Sequence, residues 1–163
     1  YQLPEAQLDR FMLKLVVDYN PKEQELEIAR RISSGSSETI NAVLAEGDLE
    51  ALKAAIKEVH VDAEVEEYMI ELVNATRNPK EYGLSELEEF IQFGASPRVS
   101  IDMFKAVKAM AFMRGKDYVT PIDIAYIAKE LMRHRIVLTY EAEAEGITTD
   151  EIIQKVLEAV AIP

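Results

Sequence analysis

The stretch from Ser96 to Gly115 constrains the fold most, because every local signal in it agrees on one amphipathic helix. Ser96 is a good N-cap, Pro97 a good first helical residue and Gly115 a good stop. Met103, Phe104, Val107, Met110 and Ala111 recur at the spacing of one helix face, while Arg98, Asp102, Lys105 and Lys108 point away. Such a stripe must be buried against others, and the chain supplies them. Val65, Met69, Leu72, Val73 and Thr76 follow a cap at Asp62. Ile124, Ile127, Ala128 and Leu131 follow Thr120-Pro121-Ile122-Asp123, which is close to a capping box. A last helix over 149–161 presents Ile152, Ile153, Val156, Leu157 and Val160.

The first third reads differently. Leu3 to Arg10 is a short helical turn, and Phe11, Leu13, Leu15 and Val17 then alternate as on a strand. No other segment reads as its partner, so its neighbours are expected upstream of Tyr1, in a chain trimmed at its N-terminus. Leu26, Ile28, Ala29 and Ile32 give a helical stripe after Pro21, and Leu49, Leu52, Ile56 and Val59 another after Asp48. Ser33-Ser34-Gly35-Ser36-Ser37 is the best internal linker. Residues 39–44 are ambiguous, and 84–93 read as a short helix or a surface loop. The fold class is therefore mainly α, a helical bundle preceded by one short helix and one strand left over from an α/β unit.

Charge narrows the function. A net charge of −12 disfavours phosphate-backbone binding, which needs clustered Lys and Arg, so no nucleic-acid partner is expected. No apolar run is long enough for a membrane helix. Absence of cysteine removes disulfides, thiolate metal sites and thiol catalysis together, and the expected location is cytoplasmic. His60 and His134 are the only histidines, and no metal site is assigned. The acidic residues Glu64, Glu66, Glu67 and Glu71 read as a solvated face. The chain has no Gly-rich loop ending in Gly-Lys-Ser/Thr and no acidic strand end to hold magnesium, so it cannot build a nucleotide-hydrolysing site alone.

What it can supply is positive charge. Arg98 sits in a first helical turn, where backbone N–H groups favour an anion and a cation is mildly unfavourable. A phosphate-like partner explains it; so does a local pair with Asp102, four residues on. Arg10 lies at an element junction, within reach of Asp9 or Glu5. Arg133-His134-Arg135 follow a helix whose C-terminal dipole favours them without further function, and their role stays open.

Four segments decide between these readings. Leu3-Pro4-Glu5-Ala6-Gln7-Leu8-Asp9-Arg10-Phe11, Gly94-Ala95-Ser96-Pro97-Arg98, Gly115-Lys116-Asp117-Tyr118-Val119-Thr120-Pro121-Ile122-Asp123 and Arg133-His134-Arg135 resemble, in order, the MoxR family of AAA+ ATPases. The resemblance covers nearly the whole chain and implies the C-terminal part of such a protein: residues 1–19 as the end of the AAA+ α/β core, residues 20–163 as the α-helical AAA+ lid domain. It implies Arg10 as an arginine finger acting in trans and Arg98 as the sensor-2 arginine on ATP phosphate. It further implies ATP and Mg in the intact parent, none bound by this part alone, and self-association into a hexameric ring. Chaperone-like maturation of clients, including von Willebrand factor A domain proteins, completes the expectation. The competing readings are a free-standing non-enzymatic α-helical interaction module and, less well supported by the charge, a histone-fold-like DNA binder.

Overall fold

The computed structural model describes residues 3–35 and 39–163. They fall into two compact units, one of residues 3–14 with 54–163 and one of residues 15–35 with 39–53.

In the larger unit, α1 (Glu5–Leu8) is followed, after the smaller unit, by α4 (Ala63–Arg77), α5 (Pro97–Met113), α6 (Pro121–Met132), α7 (Tyr140–Glu145) and α8 (Thr149–Ala159). The apolar stripes meet as their spacing requires. Met69 and Leu72 of α4, Val99, Met103 and Val107 of α5, Ile124 and Leu131 of α6, and Ile152, Ile153 and Val156 of α8 are sealed from solvent. Each such side chain contributes about 1.5–3 kcal/mol on burial. Phe104 and Met110 pack at the margin of that core.

Thr120 and Asp123 form the expected reciprocal capping box on α6, and Thr148 and Glu151 form one on α8 that the sequence reading did not single out. Asp62 does stand at the N-cap of α4, but its side chain makes no cap hydrogen bond; the carboxylate is instead 3.0 Å from His60 Nε2.

Residues 84–93 contain a 3₁₀ turn at Ser85–Leu87 and then β1 (Ile91–Phe93), which pairs antiparallel with β2 (Val137–Leu138). Strands this short carry no readable alternation, which is why the sequence offers only a helix or a loop here. The strand expected over Phe11–Val17 does not form. A strand needs a ladder partner for its backbone groups, and none of the described residues provides one. The Lys14 N–H donates to the Glu130 carbonyl instead, at 2.9 Å.

In the smaller unit, α2 (Lys22–Ser33) forms where its stripe predicts and ends through the serines, but it buries no residue. Leu26, Ile28 and Ile32 are exposed, so the stripe there is a helix face and not a core. α3 (Asp48–Lys57), whose residues from Ala54 on belong to the larger unit, starts at the expected Asp48 and likewise buries no residue. Ser36 and Ser37 of the linker lie outside the described residues.

Candidate functional site

The position of Arg98 is set from its own loop. Gly94 runs so close to the end of α4 that a Cβ there would lie 2.4 Å from the Thr76 carbonyl oxygen, so only glycine fits. The next residue is tied in the same place: Ala95 N–H donates to Thr76 Oγ1 at 2.9 Å, and Arg77 Nε donates to the Ala95 carbonyl at 2.7 Å. Thr76 itself is buried and donates to the Val73 carbonyl. The loop is thus clamped onto α4, and Ser96 is delivered as the N-cap of α5, accepting from the Arg98 N–H.

Arg98 and Asp102 do not pair. Arg98 Nη1 lies 3.1 Å from Asp9 Oδ2, while Asp102 Oδ2 accepts from Arg135 Nη2 at 2.6 Å. The reason is burial. Asp102 does not point away from the core but turns into it, where the fully buried Arg135 side chain is the cation within reach.

Asp9 is the meeting point of the cluster. Ser96 Oγ donates to its Oδ1 at 2.8 Å, Arg98 pairs with its Oδ2, and Arg135 Nε stands 3.3 Å from Oδ1. That last contact is an ion pair by distance only, since Arg135 Nε has no aligned acceptor. Arg135 Nη2 also donates to the carbonyls of Asp9 and Phe11, at 3.0 and 2.9 Å.

Arg10 is placed quite differently. It is exposed and forms no ion pair or side-chain hydrogen bond among the described residues, so neither Asp9 nor Glu5 takes it. Its backbone is nevertheless fixed, because the carbonyls on both sides, of Asp9 and Phe11, are held by Arg135.

The open question of Arg133-His134-Arg135 has a structural answer. The three consecutive side chains grip the segment that carries Arg10. His134 Nε2 is 2.8 Å from the Phe11 carbonyl, which can only accept, so that nitrogen carries the proton. Arg133 forms a two-pronged pair with Asp150, both contacts at 2.9 Å, and donates to the Lys14 carbonyl through Nη1. Burial pushes the His134 imidazole below its usual range, and Arg135 and Lys14 act in the same direction. The helix-dipole reading accounted for none of these contacts; those to residues 11 and 14 join positions more than a hundred residues apart.

Beside α6, a second cluster is structural. Asp123 is fully buried and accepts from Lys116 Nζ at 2.8 Å and from Thr120. Burial alone would raise its pKa, but the hydrogen bonds from Lys116 and Thr120 outweigh it and hold the carboxylate below its ordinary value.

The larger unit is thus a helical bundle that holds a half-exposed arginine in the first turn of α5. Residues 85–156 match the family model of the AAA lid domain. Over its whole length the chain is 38% identical to the chaperone MoxR1 of Mycobacterium tuberculosis and 37% identical to the protein YeaC of Bacillus subtilis. It spans about half of these curated relatives, 43% and 48% of their lengths. A solved structure from Cytophaga hutchinsonii, provisionally described as an ATPase, superimposes with a TM-score of 0.95 at 44% identity, covering all of this chain and 50% of that one. The chain corresponds over its whole length to the C-terminal region of MoxR-family AAA+ ATPases, with its lid domain.

Proposed function

We propose that this region serves an ATP-driven, ring-forming machine, in which Arg98 reads the phosphates of its own subunit's nucleotide and Arg10 reaches into a neighbour's. The observation that supports it best is the contrast at residues 9 and 10. Asp9 is held by three groups, while Arg10 beside it has its flanking carbonyls held and its exposed guanidinium pairs with no other described residue. An arginine so presented suits a phosphate on another molecule, and a planar, permanently charged group suits it better than lysine.

Residues 1–19 are then the edge of an α/β core and 20–163 the lid. ATP fits the two arginines by charge. Magnesium would neutralise phosphate charge, but no group of three or more described His, Asp or Glu side chains could hold it, so its ligands belong to the core. Turnover would move the lid relative to the core and pass that motion to a client. A chaperone-like maturation role, as the name of the mycobacterial relative suggests, fits this reading. So do clients with von Willebrand factor A domains, a hexameric ring and a cytoplasmic location, where ATP is supplied.

The test is kinetic, in a protein carrying the complete nucleotide-binding core. Arg10→Ala should abolish most turnover while leaving nucleotide affinity nearly unchanged; Arg98→Ala should impair both. Wild-type hydrolysis by both variants would refute the assignment and favour a non-enzymatic helical module.

A further inference from the structure

Resting on the phosphate reading of Arg98, we propose that Asp9 is a positioning residue that occupies Arg98 in place of phosphate and yields it when nucleotide binds. The geometry is that of an exchange site. Two carboxylates and two guanidinium groups alternate: Arg98, Asp9, Arg135, Asp102. The inner pair is locked, since the Arg135 side chain is fully buried and Asp102 nearly so. The outer pair is not, for the Arg98 side chain is 49% exposed and that of Asp9 26%.

Breaking the outer contact leaves neither partner stranded. Asp9 keeps the Ser96 hydroxyl at 2.8 Å and Arg135 Nε at 3.3 Å, and Arg98 is open to solvent on its free side. An exposed ion pair is worth little, so a triphosphate with several negative charges outcompetes one carboxylate. Asp9 also adjoins Arg10. The residue that releases the lid arginine is therefore bonded, through one peptide, to the arginine offered to the next subunit.

The experiment is a double-mutant cycle on the intact protein, with affinity for a non-hydrolysable ATP analogue read in wild type, Asp9→Asn, Arg98→Ala and the double variant. Asp9→Asn is expected to bind the analogue about two- to fivefold more tightly, the range an exposed pair is worth. That gain should vanish in the Arg98→Ala background. A purely structural role for Asp9 would not tighten binding. If Asp9→Asn fails to fold, Asp9→Ser carries the same expectation. Unchanged or weaker binding, with Arg98→Ala clearly weakened, overturns the exchange while leaving Arg98 on phosphate. Tighter binding that persists without Arg98 also overturns it, as general charge repulsion. An Arg98→Ala variant with wild-type affinity removes the reading beneath both.

Discussion

Arg135 and Asp102 meet at 2.6 Å just beyond the end of α6, and that pair decides what Arg98 can do. With Asp102 taken, the arginine at the start of α5 turns to a carboxylate 89 residues earlier, on the segment that carries Arg10. The ends of α5 and α6 and residues 9–14 are thus one electrostatic unit.

Arg135 should therefore matter more to stability than any surface charge. Arg135→Met leaves Asp102 buried without its cation and frees the Asp9 and Phe11 carbonyls, and is expected to cost about 3 kcal/mol or more. Denaturant midpoints measure this; a loss under about 1 kcal/mol, the worth of an exposed pair, would show that the cluster is not stabilising.

Gly94→Ala should be destabilising by about 1–3 kcal/mol, since the new methyl must push the Thr76 carbonyl aside. In the intact protein it should also weaken nucleotide binding, because the loop that delivers Arg98 shifts. Thermal melts and analogue affinity give the two readings. An unchanged melting temperature would mean that α4 gives way freely.

His134 makes stability depend on pH. Its folded-state pKa lies below the ordinary 6.5, so the unfolded chain binds the proton first as pH falls. The contribution is whole above about 6.5 and declines below it, until pH passes the lowered folded value. His134→Gln should flatten that part of the profile, measured by chemical unfolding between about pH 7 and pH 5. A wild-type profile flat through the same range would contradict the buried, neutral imidazole.

Asp123 acts lower on the scale. Its folded pKa is depressed below 3.8, so its contribution is present above that value and lost as pH falls through the depressed one. Lys116→Met should bring the acid loss to higher pH, because the first of the hydrogen bonds holding the carboxylate is gone. An acid transition at the same pH in both proteins would assign that loss elsewhere.

Much of the bundle was legible because α4, α5, α6 and α8 each carry an apolar stripe, and α5 and α6 a recognisable cap as well. The capping box at Thr120 and the N-cap at Ser96 stand where residue types alone put them. The strand at 11–17 failed for a reason sequence cannot weigh: alternation gives a segment a face, but only a neighbour gives it a ladder. Asp9 was missed as the hub because nothing in local spacing brings residue 9 to residues 98 and 135. The one hint was its place beside Arg10. The Arg98–Asp102 pair, plausible at helix spacing, lost to a buried guanidinium from another element.

The most direct test of the central claim mixes subunits of the intact protein. One variant carries Arg10→Ala with a working nucleotide site; the other keeps Arg10 but has its own phosphate-binding loop disabled. Each alone should be nearly inactive, with the Arg10→Ala rate down about a thousandfold. Mixed, they should regain a substantial fraction of wild-type turnover, because the intact Arg10 of one serves the working site of the other. No recovery in rings shown to contain both variants would contradict an arginine acting across the subunit boundary.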